Sequence, residues 1–396
     1  MTIGTDQPLR VLLVAEPGWA GVFRHVEGLA GYLHEHGHLV SFAYSDVRGS
    51  KGLQALVSRV EERGGMVTNL RVSHAPQVGD LRAWVRLRSL WKKFRPSVVH
   101  AHSSKAGALV RLPFLFTPPP VPVFYTPNEY YGMGRPPGLT NFLFSLVERL
   151  LANVGTTINI SPDEASFARE HLGLRPENQR LIHNPTRINY FLPATPETKA
   201  QARQELGLPS KGWILGTSGR IDFTKDIGTL YRALPSLFAK HPDLRLVHLV
   251  TGSLDEKLER MARSLNFRER IQFLAYREDM RPVYQALDGF VMTSRVEAGW
   301  PIVILEALSS NLPIVCSTGP GMSNIGRSGL SHCWTASVGD VSGFTRALEA
   351  MIDDSRQPRP CNHREIALQR FNPEKIYADV VAVYRERLAA LRQIKA

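Results

Sequence analysis

Two carboxylates, Glu297 and Glu306, lie on either side of a Gly-Trp-Pro turn that leads into an apolar, helix-like segment. Pro301 suits the first position of a helix, because the N–H group that proline lacks would be unpaired there. The N–H groups of Ile302 and Val303 would then point out of the helix start, where phosphate groups bind. Glu306 would lie inside the helix, where a carboxylate can bind a sugar hydroxyl. The segment therefore predicts a site for a phosphate and a sugar.

Two cations, Arg220 and Lys225, follow an apolar run at 213–218 that predicts a strand. An arginine offers a planar fork to two phosphate oxygens, and a nearby lysine adds a point charge. Two fixed cations can stabilise a leaving diphosphate without a metal, because they balance the charge that builds up on it. Taken alone, the two residues are better explained as a solvated surface loop. The hypothesis therefore depends on the other segments.

Glycines and histidines form weaker candidate groups in the first half of the chain. Gly18 and Gly21 lie in a predicted loop at 17–22, where glycines let N–H groups approach a phosphate or a sugar. The three-glycine dinucleotide pattern is absent from this loop. His100 and His102 would share one face of a strand, but a metal site would need a third ligand, and none is evident in the sequence.

Polar residues follow two predicted strands of the first half, 98–102 and 121–126. Ser103 and Ser104 are expected to cap a helix. Lys105 is poorly placed for the dipole of that helix, so we expect it to face an anionic substrate.

Asn128 and Glu129 are expected at the same sheet edge as the glycine loop, since ligands of parallel sheets collect at the carboxyl ends of the strands. Glu129 would orient an acceptor hydroxyl there. An ordinary exposed loop glutamate explains this residue equally well.

Strands alternate with helices along both halves of the chain, which predicts parallel sheets with helices on both faces. The predicted strands are 10–16, 39–44, 66–72, 98–102, 121–126, 156–160, 180–183, 213–218, 245–250, 271–274, 289–293 and 313–316. A polar, proline-punctuated segment at 184–198 is interpreted as the linker between the halves. The fold class is therefore α/β, with two doubly wound domains.

Length and composition are consistent with this organisation. At 396 residues the chain is too long for one ordinary core. No apolar run approaches the roughly 20 residues that a membrane span needs, and the first residues do not resemble a signal peptide. The three cysteines are odd in number and lack metal-ligand spacing, which favours a reduced, cytoplasmic setting without structural zinc.

The chain is basic, with 48 Lys and Arg against 36 Asp and Glu, a net charge of +12. This surplus suits nucleic acid, an anionic membrane or phosphorylated substrates, and no nucleic-acid-binding motif is recognisable, so nucleic acid is not expected as a partner. The densest basic cluster, 82–95, predicts an amphipathic helix that either lies on an anionic membrane surface or packs its apolar side into the core. The apolar residues of this helix are Trp84, Leu87, Leu90, Trp91 and Phe94.

Taken together, these segments resemble the GT-B glycosyltransferases, specifically the large retaining family 4. The matching segments are 100–107, 125–127, 159–164, 182–185, Gly219-Arg220 with Lys225, 273–279 followed by Tyr284, and Glu306-Ala-Leu. The resemblance implies two Rossmann-like domains that face each other across a cleft. Residues 1–190 would bind the acceptor and residues 191–372 the nucleotide sugar, and a final helix at 373–396 would cross back to the first domain.

The resemblance also implies an activity. The protein would be a retaining, metal-independent hexosyltransferase that moves a sugar from a nucleotide diphosphate sugar to a hydroxyl of a glycan or lipid-linked acceptor, in polysaccharide or envelope glycan synthesis. It would need no cofactor, and it would be cytoplasmic, with the basic helix favouring a peripheral position at the inner face of the plasma membrane. The alternatives are a nucleotide-sugar epimerase of the same architecture and a non-catalytic protein that binds nucleotide sugars.

The resemblance assigns roles to individual residues. The catalytic set is Arg220, Lys225, Glu297 and Asn128, and the acceptor side is His102, Lys105 and Glu129. The donor-binding set is Gly21, Ser218, Gly219, Tyr276, Arg277, Gly299, Ile302, Val303 and Glu306. Within this set, Glu306 would bind the ribose.

Two residues depart from the family pattern. Eight residues separate Glu297 from Glu306, one more than is usual, so that Ala298 stands at the usual place of the first glutamate. Either Glu297 reaches the site through a one-residue bulge, or the donor hexose lacks that contact. Asn128 stands where many relatives have a histidine; an amide can form hydrogen bonds there, but it cannot take up a proton.

Overall fold

The protein is described by a computed structural model. It covers residues 7–16, 18, 20–47, 49–73, 77–135, 138–219, 222–250, 256–265, 267–275, 277, 279–355 and 360–395. The chain forms two compact units. Unit 1 comprises Met1–Asn184 with Pro373–Ala396, and unit 2 comprises Pro185–Asn372. The predicted boundary at 190 lies a few residues further along the chain.

In the described residues, unit 1 contains a parallel sheet of seven strands. The strands are β1 (Arg10–Ala15), β2 (Leu39–Tyr44), β3 (Val67–Asn69), β4 (Val98–His102), β5 (Val123–Thr126), β6 (Thr156–Asn159) and β7 (Gln179–Leu181). Their order across the sheet is β3-β2-β1-β4-β5-β6-β7. The order reverses between β1 and β4, and ligands of doubly wound sheets bind at the carboxyl ends of strands beside such a switch point.

In the part of the chain that the structure describes, six helices of unit 1 connect these strands. They are α1 (Ala20–Glu35), α2 (Lys51–Glu62), α3 (Gly79–Phe94), α4 (Ser104–Arg111), α5 (Leu139–Leu151) and α6 (Pro162–Leu172). Helix α1 begins inside the predicted glycine loop, so Gly21 lies in its first turn and the loop prediction was wrong for this residue. The N–H groups of a first turn have no helical partner in any case, so a glycine there still leaves a donor for a ligand.

The described residues of unit 2 repeat the arrangement with six parallel strands. They are β8 (Ile214–Ser218), β9 (Arg245–Val250), β10 (Ile271–Ala275), β11 (Gly289–Met292), β12 (Ile314–Ser317) and β13 (Cys333–Ala336), in the order β10-β9-β8-β11-β12-β13. The helices are α7 (Pro196–Glu205), α8 (Ile227–Lys240), α9 (Glu256–Ser264), α10 (Arg281–Ala286), α11 (Ile302–Ser309), α12 (Val341–Asp354) and α13 (His363–Arg370). The switch point lies between β8 and β11. The predicted fold class, two doubly wound Rossmann-like domains, is confirmed.

The remaining helix, α14 (Pro373–Lys395), follows unit 2 in the chain but belongs to unit 1. Ile376, Val380 and Tyr384 of this helix are buried in the same core cluster as strand β1 and helix α1. The fit is close, because a Cβ atom on Gly28 would lie 2.2 Å from the hydroxyl of Tyr377. Unit 1 is therefore built from two separate stretches of chain.

Helix α3 contains the basic segment at 82–95, for which the sequence left two roles open, contact with a membrane or packing into the core. Leu87, Leu90 and Phe94 are buried in unit 1, so these three residues form the core face of the helix and are not available to a membrane. Trp84 and Trp91 are half-buried. Across the described part of the chain, every helix is too short or too polar to span a bilayer.

Candidate active site

Lys225 and Glu297 meet at the switch point of unit 2. Lys225 lies in the loop after β8 and Glu297 in the loop after β11, and these two strands are neighbours in the sheet. The ammonium of Lys225 donates a hydrogen bond to Oε1 of Glu297. Both side chains are mostly buried, with exposed fractions of 24% and 11%. The structure therefore pairs the cation predicted for a diphosphate with the first of the two predicted carboxylates.

Hydrogen bonds between the loops hold this pair in place. The hydroxyl of Thr293 donates to the carbonyl oxygens of Lys225 and Asp226, at 3.2 and 3.0 Å. The N–H of Arg295 donates to the carbonyl of Thr224 at 2.7 Å, and the guanidinium of Arg295 lies 3.1 Å from the carboxylate of Asp226. No sequence pattern indicates these supporting residues. Together they fix the distance between the loops that carry Lys225 and Glu297.

A third loop, which follows β12, positions the backbone of Glu297. The N–H of Glu297 donates to the carbonyl of Pro320 at 2.9 Å. Gly321 has a φ of +82°, and a Cβ atom there would lie 2.0 Å from the carbonyl oxygen of Glu297. Only glycine fits this contact. This approach between backbones brings the carboxylate of Glu297, rather than the neighbouring Ala298, to Lys225.

Glu306 lies in α11 and is 1% exposed. Its carboxylate accepts a hydrogen bond of 2.6 Å from the hydroxyl of Tyr284, which belongs to α10. Helix α11 begins at Ile302, so Pro301 precedes the helix and does not occupy the predicted first position. The ψ of Pro301 is 142°, an extended backbone that lets its carbonyl accept from the first helical turn.

The start of α11 contains three more of the predicted donor-binding residues. Gly299 is buried in the loop that leads to the helix, and Ile302 and Val303 open its first turn half-buried. The N–H groups of a first turn have no helical acceptor. The helix thus begins one residue later than predicted, and the N–H groups of Ile302 and Val303 remain predicted donors to a phosphate.

Ser218 ends β8, and Gly219 begins the loop that leads to Lys225. A Cβ atom on Gly219 would lie 3.1 Å from Ile227 and 3.3 Å from the Cβ of Lys225, so a larger residue would press on the site lysine. The carbonyl of Gly219 accepts a hydrogen bond of 2.8 Å from Nε2 of His248. That donor role leaves Nδ1 of His248 to accept from the hydroxyl of Tyr231, at 2.9 Å.

His248 was missed by the sequence analysis. It is fully buried in β9, and burial lowers its pKa from 6.5 to about 4. The neutral ring holds the carbonyl of Gly219, and through it the start of the cationic loop. The available signal was a histidine inside the apolar run Leu246–Val250 of this strand.

The sequence predicts three more donor-side residues, Arg220, Tyr276 and Arg277. Arg220 and Tyr276 lie outside the described residues. Arg277 forms an exposed ion pair with Glu205 of α7, at 2.9 Å. The charge of Arg277 is thus balanced by a residue of α7.

His102 lies at the switch point of unit 1, at the end of β4 beside β1. Its ring is fully buried, with its centroid 4.0 Å from that of His100 and 5.2 Å from that of His25. Burial lowers the pKa of each of these three histidines, that of His25 to about 4. His100 bonds the hydroxyls of Tyr384 and Thr126, at 2.5 and 2.8 Å. The cluster is therefore a neutral part of the core.

The structure changes two expectations at the start of α4. Ser103 occupies the N-cap position with a φ of +79° and forms no capping hydrogen bond, so the predicted cap is wrong. An effective N-cap has an extended backbone that lets its side chain reach the first N–H groups. The ammonium of Lys105 binds the carboxylate of Asp80 at 2.6 Å and is 7% exposed. Its charge is thus balanced within unit 1, where we expected it to face a substrate.

Asn128 and Glu129 follow β5 in an unusual backbone conformation. Their φ angles are +56° and +101°, and such strain persists only where the surroundings enforce it. The N–H groups of Glu129 and Ile160 both donate to the buried carboxylate of Glu164, at 2.9 and 2.7 Å. Burial raises the pKa of Glu164 to about 8. The Glu129 carboxylate is partly exposed and pairs with Arg135 at 2.7 Å.

The described residues contain no group of three or more His, Cys, Asp or Glu side chains arranged to hold a metal ion. The cysteines Cys316, Cys333 and Cys361 are free thiols.

We expect the protein to lose stability as the pH falls from 6.5 to 4. Burial lowers the pKa of His25, His248 and His363 from 6.5 to about 4, so in this range the unfolded chain binds protons that the folded protein does not. Each of these histidines should cost about 2 kcal/mol at pH 5. His248→Gln should make the decline shallower in urea unfolding curves, whereas His36→Gln, at an exposed site, should not. An equally steep decline in His248→Gln would contradict the assignment.

Comparison with known proteins identifies the class. Residues 20–185 match the family described as "Glycosyl transferase 4-like domain", and residues 198–367 match "Glycosyl transferases group 1". The two matches fall in units 1 and 2 respectively and together span most of the chain. The chain belongs to the GT-B glycosyltransferases, with family-4-like domains. The prediction of a hexosyltransferase is confirmed by the same matches and by named relatives.

One relative is the UDP-Gal:alpha-D-GlcNAc-diphosphoundecaprenol alpha-1,3-galactosyltransferase of Escherichia coli, which is 25% identical over 282 residues, or 70% of this chain and 72% of that protein. Another is the D-inositol 3-phosphate glycosyltransferase of Corynebacterium aurimucosum, which is 26% identical over 258 residues, or 60% and 59% of the two chains. Among solved structures, Anabaena HepE in complex with UDP-glucose superposes with a TM-score of 0.77 at 18% identity, over 96% of this chain and 100% of that one. That likeness shows the fold.

Proposed function

We propose that the protein moves a hexose from a nucleotide diphosphate sugar to a hydroxyl of a glycan or lipid-linked acceptor, in the synthesis of a polysaccharide or an envelope glycan, with retention of configuration. The observation that carries this proposal is the Lys225–Glu297 pair at the switch point of unit 2. Ligands of doubly wound sheets bind at that point. The Escherichia coli relative, whose name gives a UDP-sugar donor and a lipid-linked acceptor, supports the proposal.

The donor would bind in unit 2. Lys225, with Arg220, would balance the charge of the diphosphate, and the N–H groups at the start of α11 would point at its oxygens. Glu306 would accept hydrogen bonds from the ribose hydroxyls. The hydroxyl of Tyr284 fixes the orientation of that carboxylate. Glu297, held by three loops, would face the hexose.

The reaction would occur on one face of the hexose. The acceptor oxygen forms a bond to the anomeric carbon as the bond from that carbon to the donor phosphate oxygen breaks. The acceptor proton passes to the departing phosphate oxygen, and the nucleoside diphosphate leaves with the bonding electrons. The cations Lys225 and Arg220 would stabilise the negative charge that develops on it. No protein nucleophile is assigned, and the bond forms on the side from which the leaving group departs.

The acceptor would bind in unit 1, where the strained segment after β5 offers two polar side chains. The carboxylate of Glu129 would orient the acceptor hydroxyl, and the amide of Asn128 would form hydrogen bonds near the reacting sugar. Strained backbone of this kind is common at functional sites. Lys105 has no role in this proposal, since its charge is balanced by Asp80.

A transfer assay with an anomeric readout tests the function. Thermal-shift screening with nucleotide sugars would select the donor, because a ligand at about 100 times its dissociation constant adds roughly 2.7 kcal/mol to stability. Proton NMR of the glycoside product should then show the anomeric configuration of the donor. An inverted product would contradict retention. Isomerisation of the donor without an acceptor, or binding without transfer to any acceptor, would contradict the proposed reaction.

Glu306→Gln should weaken donor binding by roughly 10- to 100-fold, because a hydrogen bond to a charged group contributes about 1.5–3 kcal/mol. Tyr284→Phe should weaken it by only about 3- to 10-fold, since the phenol orients the carboxylate and a neutral hydrogen bond contributes less. Isothermal titration calorimetry with the selected donor measures both. Tyr44→Phe, in unit 1, is the control. Unchanged affinity in Glu306→Gln would exclude the ribose role.

A further inference from the structure

Helix α5 exposes its apolar side chains. The buried residues of this helix are Glu148 and Leu151. A stripe of six apolar residues at helical spacing is exposed by 39–75%: Leu139, Phe142, Leu143, Leu146, Val147 and Leu150. Helices of globular proteins normally show the opposite arrangement, with the apolar stripe against the core. A contiguous exposed apolar patch of this kind marks an interaction surface.

A buried polar anchor fixes the orientation of α5. Oε2 of Glu148 accepts a hydrogen bond of 2.9 Å from Arg111 of α4, and Oε1 accepts one of 2.6 Å from the hydroxyl of Tyr125. Arg111 also donates to the carbonyl of Leu151 at 3.2 Å. Rotating the helix to bury the stripe would break all three contacts and leave Arg111 buried without its counter-charge. The anchor therefore holds the stripe on the outside.

The segment from α3 to α5 carries more than half of the net positive charge of the protein. Residues 79–151 contain ten basic and three acidic residues, a net charge of +7 out of +12 for the chain. Helix α4 packs against both α3 and α5. The exposed basic side chains of α3 are Arg82, Arg88, Lys92 and Lys93. The apolar stripe thus lies in a strongly cationic surface.

An apolar groove extends this surface between α3 and α4. It has a volume of about 350 Å³ and is lined by Trp84, Trp91 and Phe114, with Arg88 and Lys92 also in its wall. Phe116, beyond the end of α4, is 93% exposed. Tryptophan beside lysine and arginine is typical of surfaces at a membrane interface, where the ring lies at the level of the head groups.

Charge decides between the partners that an apolar stripe could bind. A second copy of the chain would bring the same positive surface against this one, and like charges at an interface disfavour association. A bilayer with anionic lipids offers negative head groups for the cations and an apolar interior for the stripe. We propose that the α5 stripe, with the cations of α3, docks the protein on an anionic lipid surface. This docking goes beyond the proposed transfer reaction and does not rest on it.

Co-sedimentation of the full chain with vesicles tests this docking. The wild-type protein should sediment with vesicles of phosphatidylcholine and phosphatidylglycerol in equal amounts, and much less with phosphatidylcholine alone. Leu143→Gln/Leu150→Gln should bind the mixed vesicles about tenfold more weakly. The matched control is Leu192→Gln/Leu368→Gln, two leucines of unit 2 with similar exposure, which should bind like the wild type. Binding should also weaken with added salt, which screens the cations.

Each alternative has its own outcome. Failure of the wild type to sediment at low salt would overturn the docking, as would full binding by the α5 variant. Wild-type dimers in analytical ultracentrifugation that dissociate in the α5 variant, without vesicle binding, would assign the stripe to a second copy. Transfer to a short, water-soluble acceptor should be the same in the wild type and both variants. That assay separates a failure of docking from a failure of the proposed reaction.

Discussion

Lys225→Ala is expected to lower the rate of sugar transfer by roughly 10²- to 10³-fold, which corresponds to about 2.7–4 kcal/mol of transition-state stabilisation. The ammonium of Lys225 lies at the switch point of unit 2 in a mostly buried position. Charge on the departing diphosphate grows as the reaction proceeds, so a fixed cation binds the transition state more tightly than the ground state. The loss should therefore fall mainly on kcat. Initial rates at saturating donor measure it.

The ion pair of Lys225 with Glu297 complicates this experiment, because alanine leaves a buried carboxylate without its partner. Lys225→Ala/Glu297→Gln removes that uncompensated charge. If transfer requires the cation itself, the double variant stays slow even when its stability recovers. Lys240→Ala is the matched control, since Lys240 pairs with Glu349 at the surface of the same unit. Near-normal turnover in the folded Lys225→Ala variant would overturn the proposed role.

Glu148→Ala is expected to destabilise the protein by about 3–5 kcal/mol, since it leaves the charge of Arg111 buried and unpaired. Arg111 is 1% exposed, and its guanidinium lies over the ring of Tyr125 at 3.7 Å. The variant also removes the acceptor of the Tyr125 hydroxyl. The midpoint of urea unfolding measures the effect. Its size would make this the most destabilising substitution among those considered above.

Two further variants separate the buried charge from the contact itself. Glu386→Ala breaks an exposed pair with Arg180 and should cost less than about 1 kcal/mol. Arg111→Met/Glu148→Leu removes both buried charges and should recover much of the stability lost in Glu148→Ala. A cost below about 1 kcal/mol for Glu148→Ala would show that the guanidinium finds water or another partner.

The sequence does not predict β13 (Cys333–Ala336), whose residues are mostly exposed or half-buried. It predicts the other twelve described strands, because strands buried on both faces read as apolar runs between helical patterns. It also predicted that Lys225 and Glu297 follow strands. It could not predict that the two side chains pair, since they are 72 residues apart and meet only because β8 and β11 are neighbours. The extra residue between Glu297 and Glu306 left it open whether Glu297 reaches the site. The contacts of its backbone with Pro320 and Gly321, in the loop after β12, could not be predicted from the sequence.

Buried polar residues account for most of what sequence patterns missed. Glu148 has a partner 37 residues away, so nothing local indicates that it faces inward. The exposed apolar stripe of α5 could not be predicted from periodicity either, because an apolar stripe normally defines the core face. Lys105 was expected to face a substrate because it is poorly placed for the dipole of its helix. Its partner, Asp80, lies on another helix 25 residues away, where no local pattern indicates the pair.

Helix α14 has a consequence for the order in which the two units fold during translation. Domains generally fold as units during translation. The core of unit 1, however, is formed by two stretches of chain, one before and one after unit 2 in the sequence. Until Tyr384 emerges, His100 lacks its phenol partner and the core around β1 is open. Unit 2 is one uninterrupted stretch and can fold first. The half that is translated first is thus completed last, and a nascent chain stalled before residue 373 should present a folded unit 2 beside an unfinished unit 1.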